Sequence, residues 1–282
     1  MTAFSVGRLR IQCLMDGAAP FAEGPLPASF PGVSVADFEP FRSRYPATFV
    51  DDTWLVQFCG ILIQTPDRNV VVDTGLGRRP DPYWGVPEGT LGASLEAAGL
   101  TVEDIDTVLL THLHADHVGW NMTPDGQPTF PRATYVVQQA DWVAFREPPL
   151  DRAFPFQYLE RDVYALESSG RLLIVDGAHR ICDELDAVPA PGHTPGHFVV
   201  HAHSDGEEAL YVGDAILHPA QVAHPDWPFV FDLDRERATS TRRELVEWAE
   251  RDGMRLMACH FPEPQVGRVT REGNLHCWEP SP

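Results

Sequence analysis

The stretch Thr111-His112-Leu113-His114-Ala115-Asp116-His117-Val118-Gly119-Trp120 places the tightest constraint on how this chain can fold. Three imidazoles and a carboxylate fall within six residues, directly after the apolar run Val108-Leu109-Leu110. Neutral imidazole nitrogen and carboxylate oxygen are donors that zinc-like divalent ions accept. Side chains two apart on extended backbone point the same way, so His112 and His114 can grip one ion together. Asp116 and His117, just past the bend, are free to turn toward a second. Such a cluster is incomplete by itself, and a fold that uses it must bring further donors to the same place.

Further donors recur at strand ends downstream. In Pro191-Gly192-His193-Thr194-Pro195-Gly196-His197, two glycines and two prolines fix a tight loop around His193, the expected third donor to the first ion. Residues 209–212 read as a short buried strand ending at Gly213-Asp214, and Asp214 offers the anionic bridge that two neighbouring cations need. Residues 254–258 read as a strand that presents His260; Cys259 is expected to face the opposite side, buried and inert. Upstream, the strand 69–72 runs into Asp73, either a turn residue or an outer acceptor that orients a metal-bound histidine. His197 reads as a hydrogen-bonded structural histidine. His201 and His203 read as one face of the strand 198–202 at its turn, with no carboxylate beside them in the sequence. His218 and His224 either line a pocket or pack.

The rest alternates strands and helices. Strands are expected at 4–15, 53–65, 106–110, 133–137, 172–175 and 181–188, and helices at 91–100, 139–147, around 158–167 and at 234–252. The last is the most regular, with Leu245, Trp248 and Ala249 at helical spacing. Residues 18–46 carry many prolines and glycines among Phe21, Phe30, Phe38 and Phe41, and are expected to form part of a substrate-pocket wall. No linker, charge run or repeat divides residues 1–282, which points to a single layered domain of mixed α and β.

A formal charge of −20 disfavours nucleic acid, whose backbone needs a basic face, and disfavours anionic membrane surfaces. No apolar run approaches the roughly 20 residues of a membrane-spanning helix, and the first residues show no signal peptide. Five scattered cysteines without a CxxC pair argue against a disulfide framework and fit a cytoplasmic location.

His112-x-His114-x-Asp116-His117, then His193, Asp214 and His260 in that order, resembles the metallo-β-lactamase superfamily. The resemblance implies an α/β fold, a four-layer αββα sandwich with mixed β-sheets and the metals at one edge. It implies one ion held by His112, His114 and His193, a second held by Asp116, His117 and His260, and Asp214 between them. It also favours Asp73 as the outer acceptor. Pro191 to His197, Gly213-Asp214 followed by His218-Pro219, and His260-Phe261-Pro262 resemble the acyl-homoserine-lactone lactonase and methyl parathion hydrolase branch, most of all its methyl parathion hydrolase side. One departure stands out: some lactonases place a tyrosine shortly after the bridging aspartate, where this chain has Ala215-Ile216-Leu217-His218.

The function so implied is a binuclear metal-dependent hydrolase that opens lactones or cleaves neutral esters, phosphotriesters included, with a metal-bridging hydroxide as nucleophile. Two divalent metal ions per chain, zinc first among them, are the expected cofactors, with Asp116 doubling as catalytic proton shuttle. The expected partner is a small-molecule lactone or ester, with no nucleic acid or membrane, and a homodimer is admitted. Trp120, Phe154, Phe156, Trp227, Phe229 and Phe231, with His218 beside them, are candidates for the substrate pocket. A thioesterase or a mononuclear iron sulfur-oxidising enzyme of the same superfamily, and a non-enzymatic metal-binding or sensory protein, remain as alternatives.

Overall fold

The spine of the molecule is a pair of twelve-residue strands, β2 (Leu9–Pro20) and β4 (Thr53–Gln64), which run antiparallel from Arg10↔Gln64 to Pro20↔Leu55. Alternation along them separates two faces. Leu9, Ile11 and Cys13 join Cys59, Ile61 and Ile63 on the inner side, while Leu14 and Leu62 face outward into a second cluster. The register slips between Met15 and Gly17, and the extra residue is Asp16. Its buried carboxylate accepts the backbone N–H groups of Leu76, Gly77 and Leu91 and the Trp120 indole N–H, tying three loops to one point.

A computed structural model describes residues 3–81, 83–146, 157–263 and 265–281. Among these, β1 (Ala3–Val6), β3 (Phe49–Val50), β5 (Asn69–Val72), β6 (Thr107–Leu109), β7 (Thr134–Gln138) and β8 (Leu172–Val175) complete the first sheet. Its order is β1-β2-β4-β5-β6-β7-β8, with β3 on β4. The second sheet runs β15-β14-β13-β12-β11-β10-β9. Its strands are β9 (His179–Cys182), β10 (Leu185–Pro189), β11 (Phe198–Ser204), β12 (Glu207–Tyr211), β13 (Arg255–Met257), β14 (Val266–Glu272) and β15 (Leu275–Pro280). Both sheets mix parallel and antiparallel pairs. Inner faces meet in one apolar core. The helices Leu91–Ala97 and Gln139–Ala144 cover the outer face of the first sheet, and Arg235–Arg251 covers that of the second. The layers are therefore helix, sheet, sheet, helix.

One segment is more regular than its proline and glycine content suggests. Residues 18–46 are not a continuous loop: β2 extends to Pro20, and short helices occupy Leu26–Ser29, Val35–Phe38 and Glu39–Arg44. Phe21, Phe30 and Phe38 are buried there against Trp54. The residues after His260 form the hairpin β14–β15, which extends the second sheet.

Topology decides where the loops go. β5 and β6 are parallel; β12 and β13 are parallel; β10 and β12 both run against β11 and so point the same way. Asp73, the 112–117 segment, His193, Asp214 and His260 each follow the C-terminal end of one of these strands. Among the described residues no helix is long and apolar enough to cross a membrane, and all five cysteines are free thiols.

Candidate metal centre

His112 and His114 leave the end of β6 with Leu113 between them, and Leu113 points into the outer core. Alternation thus frees both imidazoles for the opposite side. His114 starts the short helix Ala115–Val118, whose turn carries Asp116 and His117. Glycines permit the approaches of His193 and Asp214. Gly192 (φ +138°) lies where a Cβ would be 2.3 Å from the Ala238 backbone nitrogen, and at Gly213 (φ +50°) a Cβ would be 2.9 Å from His197 Nε2. Any larger residue would displace the loops that present His193 and Asp214.

Seven side chains converge. His112 Nε2 and His193 Nε2 each lie 3.0 Å from His114 Nδ1. Nitrogens about 2.0–2.1 Å from a tetrahedral ion would be roughly 3.3 Å apart, so this spacing is close to that of a ligand set. Asp214 faces both groups with different oxygens. Oδ2 is 3.7 Å from His112 Nε2 and 3.4 Å from His193 Nε2, whereas Oδ1 is 3.2 Å from His117 Nε2 and 3.1 Å from His260 Nε2. Asp116 Oδ2 closes the second group at 3.7 Å from His117 Nε2 and 3.6 Å from His260 Nε2.

The other imidazole nitrogens are fixed from behind. His117 Nδ1 is 2.9 Å from Asp73 Oδ2, and Asp73 also accepts the Thr111 N–H, the Thr111 hydroxyl and the Tyr211 hydroxyl. His193 Nδ1 is 3.2 Å from Asp232 Oδ1, and His260 Nδ1 donates to the Gln57 carbonyl at 2.6 Å. These partners leave the inward nitrogens to present lone pairs. His117 Nε2 is buried and makes no directed hydrogen bond despite its carboxylate neighbours. Such an orphan is costly for a polar atom with nothing to bind; the donor chemistry of His112, His114, His193 and Asp214, and of His117, Asp214 and His260 with the Cys259 sulfur beside them, fits a divalent metal.

Electrostatics divide the two groups. Burial, reinforced by mutual repulsion among the imidazoles, holds His112 and His114 well below the ordinary histidine range. Burial also pulls on His117 and His260, but their neighbours outweigh it: Asp214, Asp73 and Asp116 for His117, the Cys259 sulfur ahead of Asp214 for His260. Both lie well above the ordinary range. Burial raises Asp116, and it would raise Asp214 too, but His117 and His260 hold Asp214 well below.

Asp214, His260, Asp116 and His114 form the floor of a cavity of about 360 Å³. Trp54, Val56, Trp84, Leu217, Phe229 and Phe231 make its apolar wall, and Arg79, Tyr83 and Arg161 stand among its polar residues. Phe229 and Phe231 line this cavity, while Phe154 and Phe156 lie outside the described residues. Three pocket expectations are corrected. Trp120 turns into the outer core, where Asp16 takes its N–H and Gly92 leaves room for its ring: a Cβ at that position would lie 3.0 Å from it. His218 is fully buried one layer behind the wall, against Phe38 and Phe49 with its Nε2 on the Thr48 hydroxyl. Trp227 packs on Phe38 and stacks flat on His224, at 4.8 and 4.6 Å between ring centres. Phe21 and Phe30 likewise support the wall from behind through Trp54.

His197 is structural, as expected: its Nε2 accepts the Asp214 N–H at 3.1 Å. Cys259 is buried but faces the site, its sulfur 3.5 Å from Asp214 Oδ1, because the chain has left β13 by then and strand alternation no longer applies. Burial raises its thiol well above the usual range, so it stays protonated. Asp232 and the Gln57 carbonyl carry no local sequence signal.

Comparison with known proteins adds the following. N-acyl homoserine lactonase AttM of Azorhizobium caulinodans is 29% identical over 204 residues, covering 65% of this chain and 69% of that protein. A probable metallo-hydrolase of Mycobacterium tuberculosis is 24% identical over 302 aligned positions, covering 94% of this chain and 89% of that one. Among solved structures, AidC, a dizinc quorum-quenching lactonase, superposes with a TM-score of 0.84 at 24% identity, over 100% of this chain and 97% of its own. The hydrolase AbOPH gives 0.83 at 22%, over 99% and 96%. These structural likenesses establish the shared fold. The profile of the Metallo-beta-lactamase superfamily matches residues 53–260, a span that contains Asp73 and all seven converging side chains, and the chain belongs to that superfamily.

Proposed function

We propose that residues 1–282 act as one hydrolase domain that opens lactones or cleaves neutral esters with two divalent ions, zinc foremost. His112, His114 and His193 would hold one ion and Asp116, His117 and His260 the other, with Asp214 shared. The observation that carries this reading is the convergence of these donors beneath an apolar cavity whose floor is His114, Asp116, Asp214 and His260. Bound there, such ions lower the pKa of water toward neutrality and polarise a carbonyl oxygen.

The remaining work falls to the chain. Asp73, Asp232 and the Gln57 carbonyl fix the tautomers of His117, His193 and His260. Trp54, Trp84 and Phe229 take the apolar part of the substrate and exclude bulk water. Asp116 lines the cavity with Oδ2 turned toward His117 and His260 as the ion's donor, which leaves its second oxygen to take the proton given up by the attacking water. It would deliver that proton to the leaving alkoxide. The lactonases among the relatives support the choice of a lactone first.

The test is hydrolysis of short- and long-chain lactones and aryl esters before and after chelation. Activity should vanish on metal removal and return with zinc at two ions per chain. Hydrolysis that survives complete demetallation, or a single iron per chain in active protein, would exclude this reading.

A further inference from the structure

At the opposite end of the second sheet lies another concentration of metal-type donors. His201 and His203 sit two apart on β11 and project from the same face. Asp205, two residues on, turns to Arg8 instead, but strand pairing supplies two carboxylates. Asp186 on β10 is directly opposite His201, and Glu208 on β12 is directly opposite His203. The side chains then cross diagonally, with His201 Nε2 2.7 Å from Glu208 Oε2 and His203 Nε2 3.1 Å from Asp186 Oδ2. One donor atom from each of Asp186, His201 and His203 falls within 4.8 Å of the others. Arg180 engages Asp186 through Oδ1 only, which leaves Oδ2 to the imidazole.

An isolated histidine–carboxylate pair on a surface is ordinary. Two such pairs, sharing one strand and flanked from both sides, are a different arrangement: the ladder of β10, β11 and β12 fixes the Cα positions of all four donors. We infer that Asp186, His201 and His203, with Glu208 beside them, form a second metal-binding site, separate from the cavity. Mixed imidazole and carboxylate donors suit a borderline transition ion such as Zn(II) or Cu(II); Mg(II) and Ca(II) prefer oxygen alone. The side chains of the three core donors are 17–33% exposed, so an ion reaches them from solvent without opening the fold. It takes the place of the proton shared between each Nε2 and its carboxylate, and each ring binds as neutral imidazole with its proton on Nδ1. Trp248 of the helix Arg235–Arg251 lies 5.1 Å from the His201 ring and provides a local reporter.

The test compares the full-length protein with a His201→Ala/His203→Ala variant, both first saturated at the cavity. Equilibrium dialysis against Zn(II) and elemental analysis should find one more equivalent in the wild type. Cu(II) should quench Trp248 emission in the wild type, and that quench should be absent from the double variant and from Trp248→Phe. Asp186→Asn keeps both rings and should weaken binding, which guards against loss of structure as the cause. Equal metal content in wild type and double variant, or a quench that persists in the double variant, would overturn the site.

Discussion

Asp232 offers the sharpest separation between what holds the fold and what holds the metal. Its carboxylate is buried and takes three donors: His193 Nδ1 on Oδ1 at 3.2 Å, and Arg242 Nη2 and the Phe229 N–H on Oδ2 at 3.0 and 2.9 Å. Arg242 is itself fully buried, and its Nη1 has no hydrogen-bond partner. Asp232→Asn preserves shape but removes the charge. The amide oxygen can still serve Arg242 and Phe229, which turns the NH2 toward His193 Nδ1. That nitrogen must then accept, and the proton moves to Nε2, the atom facing the other histidines. Breaking a buried ion pair from one side costs about 3–5 kcal/mol, and retention of two hydrogen bonds favours the lower end. For a chain of this size ~3 kcal/mol corresponds to a fall of roughly 6–12 °C in Tm. Metal affinity at His193 should fall about 10–100-fold. Adding Arg242→Met removes the stranded charge, so urea denaturation of metal-free protein should recover most of the stability. Chelator competition should show no recovery of affinity, since His193 still lacks its acceptor. A single variant within about 1 kcal/mol of wild type, or a double variant that regains both properties, would refute the reasoning.

Asp73→Ala should fail to yield folded protein, because Thr111, His117 and Tyr211 lose a common buried acceptor and the residue sits at φ 59°, which Asn tolerates better than Ala. Asp73→Asn should fold yet bind metal more weakly, as thermal melts with and without zinc would show. Trp84→Ala opens the apolar wall and should raise KM for long-chain lactones by about tenfold or more while leaving the smallest lactones unchanged, the scale expected for a partly buried aromatic side chain. Burial pushes Asp141 up to about 7, so the unfolded chain loses that proton first and the parent loses stability as pH rises from about 4 to 7. Asp141→Asn should therefore gain on the parent as pH rises through that window. Burial drives His218 down to about 3, so its contribution is lost as pH falls below about 6.5, and His218→Asn should gain on the parent in the opposite direction. Urea denaturation across that range reads both signs.

The donors themselves were legible because ligand chemistry is carried by residue type, and strand ends announce themselves by an apolar run that stops at Asp, His or Gly. Asp73, His112 to His117, His193, Asp214 and His260 all satisfy that description. What orients them was not. Asp232 reaches His193 from 39 positions away, and Gln57 reaches His260 from 203 positions away through a backbone carbonyl, which no residue type encodes. The aromatic residues misled for a related reason. Trp120 follows the metal motif directly, but a bare Gly92 on a helix outside the motif decides which way its ring turns. The carboxylate next in sequence to His201 and His203, Asp205, turns to Arg8, and their partners Glu208 and Asp186 come from the register of β10 and β12. Periodicity exposes faces; register, which depends on distant pairing, chooses what those faces meet.

The asymmetry of charge around Asp214 has a consequence for metal release. His112 and His114 are held well below the ordinary range and are already neutral in metal-free protein at mildly acidic pH, so an ion binding there displaces no proton from them. His117 and His260 are held well above it and must each give up a proton to the incoming ion. Occupancy of the Asp116, His117 and His260 group should therefore weaken first as pH falls, and that of the His112, His114 and His193 group later. Dialysis at stepwise lower pH followed by elemental analysis should show loss of one ion before the other. A His117→Ala variant should keep only the acid-resistant one. Simultaneous loss of both ions, or a His117→Ala protein whose remaining ion is the acid-labile one, would mean that Asp214 and the groups around it do not set the proton affinity of these two imidazoles.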